Sequence, residues 1–409
     1  MEAPTLSAPL ADIRVLDLSR VLAGPWCTQL LGDLGADVIK IERPGVGDDT
    51  RHWGPPWHGE GAGKVAAYFL SANRGKRSAA IDFATEEGAA LVRRLAAQCD
   101  VVVENFKVGG LARFGLDAAS LRAANPRLIV ASITGFGQDG PYASRAGYDF
   151  IIQGMGGMMS VTGIPDGEPG GGPMRAGVAI ADLFTGMYAA VAILAALHRR
   201  EKTGAGAHID LALFDTQLAM LANQASNALI SGEEPPRQGN THPNIVPYQP
   251  FEAADRPIIV AVGNNRQFAR LAEMCGHSDW ASDERFATNG ARVANRDAIV
   301  GLVAECIAQK PAAEWLEKLE AAGIPAGPIN RVGQALADVQ AQHRAMVRTI
   351  GGVPLVGSPV RIDGERADSE LPPPGLGEHT EDVLREIGLG GLEVDRLKSS
   401  GVIGRPPLD

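Results

Sequence analysis

Basic residues never gather into a long block in this chain, and the formal net charge is −10. A nucleic-acid-binding face therefore has no electrostatic basis, and any anionic ligand must be met by a few locally placed cations. Cysteine is scarce as well: Cys27, Cys99, Cys275 and Cys306 stand far apart in sequence, with no C-x-x-C pair and no histidine at metal-ligand spacing. Neither a disulfide framework nor a metal site is expected, and free thiols in a reducing cytoplasm are the simplest account. The first residues, MEAPTLSAPLADIRV, lack a basic n-region and an apolar h-region, so no signal peptide is expected. Aromatics make up only 5% of the chain, while 50 glycines and 27 prolines occur without a strict period, which points to many tight turns and excludes a fibre.

Long apolar runs are few, and the clearest carries one charge. In Ala176 to Leu197, AGVAIADLFTGMYAAVAILAAL, the only charged side chain is Asp182. With Thr185 and Gly186 it interrupts a stretch near spanning length, so a buried core helix starting close to Asp182 is expected rather than a membrane span. In the first turn the carboxylate would face unpaired N–H groups and the positive end of the helix dipole, which favour its anion. Two roles are open: an N-cap that satisfies backbone donors, favoured by this stretch alone, or a desolvated nucleophile.

At 409 residues the chain exceeds one ordinary core. Its first part alternates strand-like and helix-like segments: strands at 13–18, 36–41, 78–83, 100–104 and 128–133, with helices at 26–34 and 85–98. That alternation predicts an α/β fold with a parallel, Rossmann-like sheet. Glu42 sits where a ribose-binding acid would, but the first turn, SRVLAGPW from Ser19 to Trp26, contains no G-x-G-x-x-G, so a dinucleotide is not expected. After the long helix come a strand at 207–213 and a helix at 215–230. The expected division is a large domain at 1–230, a Pro-rich linker at 231–247, a smaller α/β domain at 248–333, and a linker and C-terminal segment at 334–409 returning to the large domain.

Six segments in register carry a resemblance: VLAGPWCTQLLGDLGADVIKIERPGVGDDTR (Val21 to Arg51), ENFKVGGLARFG (Glu104 to Gly115), SITGFGQDGPY (Ser132 to Tyr142), AGYDFIIQGMGGMMSVTG (Ala146 to Gly163), ADLFTG (Ala181 to Gly186) and REKTGAG (Arg200 to Gly206). Over essentially the whole chain they resemble the class III CoA-transferases, the family of formyl-CoA transferase and the α-methylacyl-CoA racemases. The resemblance implies that Asp182 is a nucleophile forming mixed anhydrides and an aspartyl-CoA thioester, which reverses the cap-first ranking. It implies CoA-binding roles for Val21, Leu22, Arg43, Asn105, Phe106, Arg113 and Phe114, with Lys76 or Arg77 as further cations, and adenine bracketed by Phe106 and Phe114. It also implies an interlocked homodimer, acyl-CoA and a carboxylic acid as substrates, and no permanently bound cofactor.

In the racemases a histidine stands where this chain has Tyr148. A phenol with pKa near 10 is a poor base but can position a carbonyl or sulfur, which favours transfer over racemisation. A non-catalytic acyl-CoA-binding protein is the reading from another class. Glycines at 154–157 and 170–172 are read either as a cover with oxyanion donors or as ordinary turns. The segments GNTHPNIVPYQPF (Gly239 to Phe251), VGNNRQF (Val262 to Phe268) and GIPAGPIN (Gly323 to Asn330) resemble the dicarboxylate branch, especially succinyl-CoA:glutarate CoA-transferases. Arg175 and His242 are then the candidates to meet an acceptor's distal carboxylate.

Overall fold

The structure, a computed structural model, describes residues 8–404. They form two compact units: one from the first described residue to Met158, with Arg175–Gly232 and from Val339 onward, the other Met159–Met174 with Glu233–Asp338. Residues 159–174, read from the sequence as part of the large domain, thus group with the second unit.

In the first unit, β1 (Arg14–Asp17), α1 (Ala23–Asp33), β2 (Asp37–Glu42), β3 (Lys76–Ala80), α2 (Glu86–Ala96), β4 (Val101–Glu104) and β5 (Ile129–Thr134) are followed by α3 (Asp149–Met155), α4 (Ile180–Thr203) and β6 (Ala207–Ala212). The strands lie in the order β3-β2-β1-β4-β5-β6. All pairs are parallel, with Val38 opposite Lys76, Arg14 opposite Asp37, Val15 opposite Val101, Val101 opposite Ile129 and Ile129 opposite Ala207. Successive side chains leave opposite faces, and both faces are covered. Leu16, Ile39, Val102 and Val130 join one core with Leu91 and Leu95 of α2. Val15, Val38, Val101 and Ile129 join a second core with Leu31 of α1 and Ala189 and Ile193 of α4. Burial on two sides explains the apolar runs of β1, β2, β4 and β5.

The chain runs outward from β1 through β2 and β3, then returns to the other side of β1 as β4. The loops after β1 and β4 diverge at this reversal, which opens a crevice at the C-terminal ends of the strands.

The helix expected over 215–230 is two, α5 (Leu213–Met220) and α6 (Ala222–Ser231), because Ala222 takes a left-handed φ of 46°. In the second unit, β7 (Tyr248–Glu252), β8 (Pro257–Ala261) and β9 (Ala326–Pro328) form an antiparallel sheet around a core containing Phe251, Ile258, Phe268 and Trp315. β7 escaped the sequence reading because Pro247 precedes it and Pro250 interrupts its strand pattern. Beyond residue 339 the chain lies on the first unit, where Val383, Leu384 and Leu397 complete the core that holds Leu16.

Candidate active site

The turn after β1 is held from beneath by buried charge. Lys40 donates to the Ser19 carbonyl at 2.8 Å and pairs with Asp48 at 3.0 Å, and Asp48 accepts the Val21 N–H at 3.3 Å. Lys76 pairs with Asp17 at 3.0 Å, and Ser19 and Thr28 donate their hydroxyls to the same carboxylate. Burial would raise Asp17, but Lys76, Lys40 and these hydroxyls outweigh it and hold the acid at about 2. Held this way, Val21 adopts φ 71°, an uncommon conformation for a β-branched residue. Asn105 ties the two crevice loops together, accepting the Arg20 N–H at 2.9 Å and donating to the Arg20 carbonyl at 2.6 Å.

This arrangement corrects the reading of two cations. Lys76 is fully buried and spends its ammonium on Asp17, Asn73 and the Pro25 carbonyl, so it has no donor left for a phosphate. Arg77 is likewise engaged, with Asp37 at 2.7 Å and Glu386 at 2.6 Å. Glu42 serves no ribose: it accepts from Arg51 at 2.7 and 2.8 Å and from Ser78 at 2.6 Å.

A cleft of about 470 Å³ fills the crevice. Val21, Leu22, Asn105, Phe106, Arg113 and Phe114 line it, and so do Tyr148 and Asp182. Arg43 is exposed and lines an adjoining cavity of about 350 Å³ that shares Arg20, Phe83 and Phe106 with the cleft. Phe106 and Phe114 do not face each other across an open slot. Phe83 lies edge-on to both, with ring centroids at 5.7 and 5.8 Å. Sequence reasoning missed Phe83, which it assigned to the end of a strand, and also Arg20 and Arg145, which bring cations to the cleft wall. Their positions depend on loops that meet only in the folded chain.

Tyr148 precedes α3 and is 61% exposed. It reaches the cleft because two backbones touch behind it: a Cβ on Gly135 would lie 2.6 Å from the Cα of Gly147. Gly154 belongs to α3, and Gly156, where a Cβ would lie 2.4 Å from Gln217, is a packing site rather than part of a cover. Gly170 to Gly172 fall in the second unit. Arg175 lies outside the cleft lining, exposed, with its guanidinium 5.7 Å from the Phe150 ring. His242 belongs to the second unit, 5.1 Å from the Tyr248 ring, where burial and then Arg296 lower its pKa.

Asp182 is the third residue of α4, within its first turn, but it does not cap the helix. Asp149 does: one of its oxygens accepts the N–H of Ala181 at 2.8 Å and of Asp182 at 3.3 Å. The Asp182 carboxylate accepts no hydrogen bond among the described residues. Burial first, and the Asp149 charge second, raise its pKa to about 7. The anion-stabilising terminus expected from the sequence exists, but another carboxylate fills it. An acid that faces a cleft and titrates near neutrality, with uncommitted lone pairs, is suited to covalent or acid–base chemistry.

The sequence profile of CoA-transferase family III matches residues 10–380. The chain belongs to CoA-transferase family III. It is 50% identical over 393 residues to the succinate–glutarate CoA-transferase of Agrobacterium fabrum, covering 94% of this chain and 97% of that one. It is 41% identical over 401 residues to the human succinyl-CoA:glutarate CoA-transferase, covering 97% of this chain and 90% of that one. Among solved structures, a CAIB/BAIF family protein from Brucella suis aligns with a TM-score of 0.82 at 52% identity, covering 93% of this chain and 99% of that one. A family III CoA-transferase acts on CoA thioesters. The cleft of this one joins a flexible-ligand-sized space to a single poised carboxylate.

Proposed function

We propose that this transferase moves CoA from a succinyl-CoA-like donor to a small dicarboxylic acid, glutarate foremost, with Asp182 as the covalent carrier. The observation that carries the reading is the free Asp182 carboxylate opening into the same cleft as Tyr148, Asn105, Phe106 and Arg113. An Asp182 oxygen attacks the thioester carbon, giving a mixed anhydride and CoA thiolate. The thiolate attacks the aspartyl carbonyl, forming the aspartyl-CoA thioester and releasing the donor acid. The acceptor carboxylate then attacks that thioester, again giving an anhydride and thiolate, and the thiolate takes the acceptor acyl group and frees Asp182. No net proton is consumed. CoA thioester is substrate throughout, and the scheme needs no resident cofactor or metal. Arg43 in the adjoining cavity, and Arg113 and Arg20 at the cleft wall, supply the positive charge CoA's phosphates need. The names of the Agrobacterium and human relatives support the choice of acids.

The reading includes an interlocked homodimer. Phe184, Met187, Tyr188 and Val191 lie on one face of α4, each at least 45% exposed, beside the nucleophile, and a second copy would cover them. The large domain, the linkers around residues 231–247 and after 334, and the returning C-terminal segment suit chains threaded through one another. A cytoplasmic location belongs to the same reading, supported by four free cysteines.

The test is purified protein with succinyl-CoA and glutarate, the CoA esters being resolved by chromatography. Glutaryl-CoA should accumulate, and Asp182→Ala should stop it. α-Proton exchange into 2-methylacyl-CoA without transfer would replace this reading by racemisation, and tight CoA ester binding without either reaction would replace it by a binding role.

A further inference from the structure

We infer that Asp149 is a positioning residue which, by occupying the N-terminus of α4, keeps the Asp182 carboxylate off its own backbone and available for attack. The inference rests on the reading of Asp182 as nucleophile. A carboxylate in the first turn of a helix ordinarily folds back onto the free N–H groups there, which stabilise it and blunt its lone pairs. Here the N–H groups of Ala181 and Asp182 are already taken, at 2.8 and 3.3 Å, by one oxygen of Asp149.

Asp149 is itself held. Its second oxygen accepts Gln153 Nε2 at 2.7 Å, Gln153 Oε1 accepts the Ala176 N–H at 2.8 Å, and Nε2 also reaches the Val178 carbonyl at 3.4 Å. Two side chains one turn apart on α3 therefore brace both the segment leading into α4 and its first turn. Asp149 is 8% exposed and Gln153 fully buried, so this brace is shielded from water.

The same contact sets a fixed negative charge beside the nucleophile. The charged and titratable groups that face Asp182 are Asp149 from α3, Tyr148 just before it, Tyr68 from the short helix Ala67–Leu70, whose phenol feels both carboxylates, and Arg20, Lys107, Arg113 and Arg145 from the cleft wall. Asp149 is the like charge in direct contact with the nucleophile's peptide group. It makes Asp182 more basic than a carboxylate in a capping slot, and a more basic carboxylate is a stronger nucleophile.

Two variants separate charge from brace. Asp149→Asn keeps an acceptor for the two N–H groups, removes the charge and breaks the bond to Gln153. Gln153→Leu leaves the charge in place and removes only the brace, and it remains informative if the Asn variant does not fold. For each, kcat, KM for succinyl-CoA and the pH profile of kcat/KM would be measured, with circular dichroism and CoA affinity as controls for the fold. The acid limb of Asp149→Asn should move to lower pH by about one unit. Gln153→Leu should lose about tenfold in kcat at unchanged KM, with its acid limb in place. An Asp149→Asn acid limb superimposed on the wild type overturns the charge role, and an unchanged kcat in Gln153→Leu overturns the brace. Asp182→Ala that still transfers CoA would fail the nucleophile reading instead, so the two failures are distinguishable.

Discussion

Asp182 combines three properties: a place in a helix first turn, burial, and a carboxylate that accepts no hydrogen bond among the described residues. Burial and the neighbouring Asp149 raise its pKa to about 7, and attack requires the deprotonated form, so kcat/KM should fall about tenfold per pH unit below that value. A profile flat down to pH 5 would contradict this. The same shift has a stability consequence. A carboxyl group whose folded pKa lies above its unfolded one favours the fold at low pH, and that contribution is lost as pH rises through the folded value. Asp182→Asn should therefore melt at a higher temperature than the wild type at pH 8, the difference vanishing below about pH 4. Asp182→Ala should lower transfer by more than about a thousandfold while CoA affinity, measured by calorimetry, stays the same.

At the scale of elements, α1 and α4 meet where the cleft begins. A Cβ on Gly186 would lie 2.6 Å from the Ala23 carbonyl, and Ala23 lines the cleft. Gly186→Ala should therefore cost about 1–3 kcal/mol in chemical denaturation and weaken acyl-CoA binding together; stability lost with affinity intact would break the proposed link. The sheet was legible because strand-like segments alternate with helical ones, whereas the lone charge in an apolar helix singled out Asp182 but by itself favoured a cap, the nucleophile role following only from the family resemblance. Asp149 was overlooked although it follows Tyr148 directly, since the N–H groups it serves lie more than thirty residues away. Lys76 read as a phosphate ligand because nothing in its own strand reveals its pairing with Asp17 of β1, two strands across the sheet. The split between α5 and α6 turns on the left-handed Ala222, which propensity does not signal.

At the scale of the whole molecule, the C-terminal chain is fastened to the first unit by buried charge. Arg74 pairs with Asp33 at the end of α1 and with Asp368 at 3.2 Å, and donates to the Val356 carbonyl at 3.0 Å. Burial first raises Asp33, Arg74 opposes, and the nearby Asp368 adds to the rise, leaving it at about 6. Because the folded value exceeds the unfolded one, this contribution is present below about pH 4 and is lost as pH rises through about 6, roughly 3 kcal/mol in all. Replacing the acid in Asp33→Asn should flatten the dependence of unfolding free energy on pH across that window, and an unchanged slope would show that the fastening is not coupled to Asp33. Light scattering should give twice the 42.8 kDa chain mass at every concentration if two copies are interlocked; a monomer would leave the apolar face of α4 unexplained.

A covalent bond to Asp182 would be seen by intact-protein mass spectrometry after brief incubation with succinyl-CoA. A CoA-sized adduct should appear, map to the peptide containing Asp182, and be discharged by hydroxylamine or by an acceptor acid. Turnover to a new CoA ester with no adduct at any time, or an adduct that persists in Asp182→Ala, would contradict covalent transfer through Asp182.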